Sequence, residues 1–251
     1  MKITDLGNYR KVAILIIFFS GVLSTILFSS GPLLSHFELL APLKGLRLLI
    51  LGGKIGLLNV VITLFSIVFF RAKSQNIKPF LWTSLPGLIV SLVLLLLFLQ
   101  AKEYPPINDI TTTPEDPPQF QKVLDLAENK GKDMVYPANF AVIQKKAYPD
   151  ISPQVMEMDP DRLFTKVQEA AHQMNGWEIV SEDPGAKTLE AVATTYLFYF
   201  KDDVIIQIRS MDTGSAVHMR SKSRVGIGDI GANARRIRLF FSVLKDVKKK
   251  D

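Results

Sequence analysis

Apolar and polar positions divide this chain near residue 100. Before that point three long apolar runs dominate; after it, short alternating and helical patterns take over. Val12 to Ser30 carries no charge and is long enough to cross a ~30 Å hydrocarbon core. A cleaved signal peptide is the alternative, but the run is long for one, no A-x-A-like site follows, and Pro32 sits where cleavage is awkward. Ile55 to Phe70, between Lys54 and Arg71, covers only about 24 Å at ~1.5 Å per residue. That helix is therefore expected to begin earlier, in Leu46–Gly53, with Lys54 snorkelling toward the headgroups or facing neighbouring helices. Phe80 to Leu99 is the third run, with Trp82 and Tyr104 as interfacial aromatics and a tolerable Pro86 inside. The expectation is three membrane spans at about 12–30, 48–70 and 80–99.

Residues 102–120 hold a cluster of prolines in "YPPINDITTTPEDPPQF", which favours extended chain. The stretch reads as a tether, or as an arm packed on the domain that follows. In residues 121–150 the pattern weakens: "VLDLAENKG" suits a helical turn and "FAVIQKKAYPDI" a short strand. From Asp159 it sharpens. Asp159 is placed to cap a helix and Pro160 to begin it, and Asn175-Gly176 stops it. Leu163, Val167, Ala170, Ala171 and Met174 recur at helical spacing. Strands are expected at 177–181, 189–200, 204–210 and 216–225, with "DPGA" (183–186) and "KDD" (201–203) as turns. A last helix runs from Asp229 to about Lys248, its apolar stripe being Ile230, Ala234, Ile237, Phe241 and Leu244. Short connections imply an antiparallel sheet, so the fold class is three N-terminal transmembrane helices plus an α+β domain over 121–251.

Charge changes the picture by its distribution. Residues 1–103 hold 10 Lys/Arg against 3 Asp/Glu, whereas 104–251 hold 20 against 21. The net charge of +6 therefore belongs to the apolar half, and a nucleic-acid footprint is not supported. Lys2, Arg10, Lys11, Arg71, Lys73 and Lys78 outnumber Lys44, Arg47, Lys54 and Lys102 on the other side. This bias places the N-terminus in the cytoplasm and the C-terminal domain outside, which in a bacterium means the inner membrane and the periplasm. The absence of cysteine removes disulfides, thiolate nucleophiles and Cys-based zinc sites.

One motif invites a reaction. Gly226-Ile-Gly228-Asp-Ile-Gly231 satisfies G-x-G-x-x-G between a strand and a helix. A dinucleotide site also needs a second parallel strand and an acid about 20 residues on. That position is Asp251, the last residue, and the preceding strands are joined by hairpins. The glycines are better read as a strand-to-helix corner, with Asp229 as its cap.

Beside that corner lie cations. Strand alternation puts His218, Arg220, Lys222 and Arg224 on one face, and the final helix adds Arg235, Arg236 and Arg238. From Val204 on there are 11 Lys/Arg against 4 Asp/Glu. Arg220, Arg224, Asp229, Asn233, Arg235 and Arg238 form a candidate site for an anion such as a phosphate or lipid headgroup. The alternative is that the arginines pair with acids of the domain, among them Glu190, Asp202 and Asp203. Catalytic motifs are absent, no histidine has ligand spacing, and neither a metal nor a cofactor is expected.

"FxFKDDVxxxxR" (198–209), "SKSRVGIGDIGANARRIRLF" (221–240), "PPINDITT" (105–112) and "AYPDI" (147–151) together resemble the core of DUF family 1499, over about residues 105–244. Ile227 departs from it, standing where many relatives carry a basic residue. The resemblance implies a domain and a membrane setting, not a reaction. The expected function is thus a membrane protein displaying a non-catalytic extracytoplasmic binding domain. An envelope enzyme acting on an anionic lipid or glycan, and an accessory subunit of a membrane complex, are the alternatives. The bilayer is the expected partner, with an envelope protein or anionic ligand beside it.

Overall fold

The computed structural model describes residues 3–71 and 76–248. Lys2 and Lys73 of the basic bias, and Asp251, where a ribose-binding acid falls by spacing, lie outside them. Two compact units divide the chain close to Lys102.

The first unit is three helices, α1 (Ile3–His36), α2 (Pro42–Arg71) and α3 (Lys78–Ala101), each long and apolar enough to span a membrane. Each helix runs past its apolar stretch at both ends, because backbone hydrogen bonding continues wherever no residue stops it. The helices meet through small residues. A Cβ on Gly31 would lie 2.2 Å from the Gly45 carbonyl oxygen, and one on Gly52 would lie 2.4 Å from Phe28 N. Such close backbone approach is how helices associate where lipid removes the hydrophobic drive. Buried Asn59 ties α2 to α1, donating through Nδ2 to the Ile17 carbonyl (2.6 Å) and to Ser20 Oγ (2.8 Å).

The second unit is an antiparallel sheet of β1 (Asp109–Thr111), β2 (Gln154–Met156), β3 (Trp177–Asp183), β4 (Thr188–Thr194), β5 (Lys201–Ser210) and β6 (Ser215–Ser223). The order is β1-β6-β5-β4-β3, and β2 extends the β1 edge by pairing with β6 at Gln154↔Val217. Three helices complete it: α4 (Ala138–Ala147), α5 (Pro160–His172) and α6 (Ala232–Lys248). Asp159 caps α5 as expected, accepting from the backbone N–H of Asp161 (2.8 Å). Leu163, Val167, Ala170 and Ala171 of α5, with Ala234, Ile237, Phe240 and Leu244 of α6, pack on one sheet face against Leu189, Val204, Ile206, Val217 and Met219.

The opposite face is not open. The stretch expected as a tether is an arm of the domain: it supplies β1, in register Asp109↔Lys222, and its Ile107, Ile110 and Phe120 are buried. Phe120 and Val123 then cover Ile205 from that side. Prolines set the arm's extended course, and Ile107 and the continuous run Asp109–Thr112 supply the burial.

Three local expectations are corrected. The strand expected from Phe140 is instead α4, whose first turn follows Pro137 and whose Gln144 is buried. Lys201–Asp203 is the start of β5, not a turn; the reversal lies at 195–200, where Tyr199 takes φ +56°. Ile230 does not join the apolar stripe of the last helix: it precedes α6, at φ +51°, and is exposed.

Candidate functional site

The site is built where β6 turns into α6. Gly226 takes φ +92° and Gly231 φ +72°, so both need glycine's left-handed freedom. Gly228 is a close approach instead, its absent Cβ falling 3.3 Å from Pro106 Cα. Asp229 caps the corner, its carboxylate accepting from the backbone N–H of Gly231 (2.8 Å) and Asn233 (2.7 Å). Burial pushes its pKa up, and those two hydrogen bonds oppose the rise. The carboxylate occupies the backbone donors onto which a glycine-rich dinucleotide loop seats its cofactor.

The cations of the row have internal partners. Arg220 is fully buried. Its Nε and Nη2 donate to the two oxygens of Asp109 (3.0 and 2.8 Å), and Nη1 and Nη2 to the carbonyls of Pro118 and Met134. Its guanidinium also stacks 4.7 Å from the Phe120 ring centre and 5.6 Å from that of Tyr136. Lys222 reaches the same Asp109 at 3.2 Å. Arg224 forks onto Asp203, with Nη2 at 2.7 Å. His218 Nδ1 lies 2.7 Å from Thr113 Oγ. Its ring pKa is pushed down to about 4, first by burial and then by the Arg209 charge.

On the helix side Arg236 donates to Asp202 (2.6 Å) and to Asn233 Oδ1 (2.5 Å). Asn233, itself buried, donates to the Asn108 carbonyl and to Ser223 Oγ, both at 3.0 Å. Asp202 is pushed up by burial, with Arg236 opposing. Arg238 forks onto Asp150 at 2.6 and 2.8 Å, which holds that carboxyl below its ordinary range.

Of the six residues expected in an anion site, the structure brings Asp229, Asn233, Arg235 and Arg238 to the corner and spaces Arg220 and Arg224 along the covered face. Arg235 differs from the others. It is exposed and has no carboxylate partner among the described residues. It donates to the Ile230 carbonyl (2.8 Å), and its guanidinium lies 5.7 Å from the Tyr104 ring centre. Arg235, Arg236 and Leu239 line a groove of about 380 Å³ with Met174 and Trp177. Nearby, Arg238 overlies the ring of Tyr148, whose buried hydroxyl has no hydrogen-bond partner among the described residues. Burial raises that hydroxyl to about 12, and the Asp229 charge adds to the rise.

Sequence reasoning missed Tyr104, Tyr148, Trp177 and Leu239, and also Asp109 and Asp150 as partners. Asp109, Tyr148 and Asp150 do lie in the motifs "PPINDITT" and "AYPDI" that carry the family resemblance, whereas Tyr104, Trp177 and Leu239 offered only their residue type. No group of three metal-ligating side chains occurs among the described residues.

The family model for DUF1499, described as "Protein of unknown function", matches residues 109–244, more than half of the chain. No curated protein matches the chain. The matched stretch starts at the first residue of β1, so the arm from Asp109 onward lies within the family match. The chain belongs to this family.

Proposed function

We propose that this DUF1499 protein is a multi-pass membrane protein that displays a non-catalytic binding domain, which takes an anionic group at the Arg235 corner. The observation that carries the reading is Arg235: an exposed guanidinium without a carboxylate among the described residues, at the start of α6, beside a groove lined in part by Trp177. Arg220, Arg224 and Arg238 have their charge matched inside the domain, so they serve as framework, and the anion site narrows to Arg235 with Tyr148 and the groove. A guanidinium resting on an aromatic ring keeps donors free for a planar or tetrahedral oxyanion. The bias of basic residues supports placing the domain on the non-cytoplasmic side of a bacterial inner membrane.

The test uses the full-length chain in nanodiscs of neutral lipid. Trp82→Phe leaves Trp177 as the one tryptophan. Inorganic pyrophosphate should change Trp177 fluorescence saturably. Arg235→Glu should abolish the response, and Lys146→Glu on α4 should leave it. No response, or an equal response in Arg235→Glu, overturns the reading.

A further inference from the structure

The cations at the start of α2 share one face. Lys44, Arg47 and Lys54 are all exposed, and none has an ion pair among the described residues. At ~100° per residue they fall within an arc of about 80°, and they extend over about 15 Å of helix axis. Leu51 lies on the same arc and is exposed too. Further along, the face continues as Leu58, Val61 and Phe65, the last 74% exposed. It lies away from the buried face of α2, which is lined by Gly45, Leu49, Gly52 and Asn59 and packs against α1 and α3. In a bilayer such a face looks into lipid.

Helix length sets the depth. α2 has 30 residues, about 45 Å, whereas a hydrocarbon core needs only about 20 residues. Counted back from Arg71 the core ends near Leu51, with Arg47 and Lys44 above it and Lys54 about one turn below. Side chains in a helix lean toward its N-terminus, so the Lys54 stem heads up toward Arg47. Three ammonium and guanidinium groups thus converge on the headgroup layer from a lipid-facing surface.

We infer that this face binds the phosphate of an anionic phospholipid, the headgroup held by Lys44, Arg47 and Lys54 and the acyl chains lying along Leu51, Leu58 and Phe65. Lys54 is the selective element: a cation below the headgroup plane is stabilised by an anion above it and is costly beside a neutral lipid.

The experiment is native mass spectrometry of the full-length chain, taken from mixed micelles holding equal phosphatidylglycerol and phosphatidylcholine. Bound phosphatidylglycerol should predominate, and Lys54→Met should lower its retention about fivefold, the effect of one cation near a charged surface. Lys44→Gln/Arg47→Gln/Lys54→Gln should remove the preference. Arg71→Gln/Lys78→Gln, at the opposite membrane face, and Arg235→Glu, in the domain, should keep it. Lys54→Met makes the span more apolar, so it retains the fold and carries the test even if the triple variant does not insert. Equal retention of the two lipids by the native chain, no change in Lys54→Met, or an equal loss in Arg71→Gln/Lys78→Gln overturns the inference.

Discussion

Arg220 and Asp109 illustrate what one buried pair does. Both side chains are fully inaccessible: Arg220 depends on Asp109 and the carbonyls around it, and Asp109 depends on Arg220 and Lys222. Removing Arg220 leaves the Asp109 carboxylate buried with Lys222 as its remaining counter-charge, and breaking such a buried pair costs about 3–5 kcal/mol. Arg220→Met should therefore destabilise the domain by that much in urea titrations followed by Trp177 fluorescence. Arg220→Met with Asp109→Leu should recover a large part, because it removes the stranded carboxylate. An Arg220→Met variant as stable as the native chain refutes a structural role. His218 makes a second case. Its folded pKa lies near 4, below the ~6.5 of an unfolded histidine. Its contribution is full above pH 6.5 and is lost as pH falls toward 4, since only the unfolded chain takes up the proton in that window. Protease resistance of the native domain should fall over this range relative to His218→Gln; parallel curves contradict the assignment. At this scale the sequence placed His218, Arg220, Lys222 and Arg224 on one face correctly, since β alternation is a local property. It did not show that an arm covers the face, because that is a long-range event.

Among elements, the corner before α6 carries the most demanding backbone. A Cβ on Gly231 would lie 2.5 Å from the Tyr104 ring and 3.1 Å from Arg235 Nη1, at a φ that L-residues avoid. Gly231→Ala should cost about 1–3 kcal/mol and also displace Arg235 from Tyr104. Denaturation midpoint and pyrophosphate response should therefore fall together; unchanged values of both contradict the geometry. The motif that first suggests a cofactor is thus a bend whose helix-start donors belong to Asp229. The caps at Asp159 and Asp229 were legible because capping is decided within four residues. α4 was not, because an amphipathic ten-residue stretch fits either a strand or a helix until its neighbours are known. Lys201–Asp203 read as a turn because acidic residues favour turns in isolation; inside β5, buried Asp202 and Asp203 meet Arg236 and Arg224 instead.

For the molecule as a whole, the uneven charge has two origins. In the first hundred residues, cations flank apolar spans. In the rest, the cations concentrated after Val204 meet acids that come mostly from earlier in the domain. The domain is near neutral, and charged pairs are buried on both of its sheet faces. Orientation in the membrane is open to a direct test, since the chain has no cysteine. Val142→Cys, on the exposed surface of α4, should react with a membrane-impermeant maleimide in intact spheroplasts. Asn76→Cys, between α2 and α3, should react only after permeabilisation. The reverse pattern puts the domain in the cytoplasm and overturns its proposed placement. Three apolar stretches, the alternation of β5 and β6 and the helix caps were set by local rules, so the sequence by itself determined the spans and the α+β class. Tertiary structure alone decided which acid meets which arginine. Asp109 and Arg220 are 111 positions apart, and Asp150 and Arg238 are 88. No local pattern links such residues; they meet because the arm closes over one sheet face while α6 packs on the other.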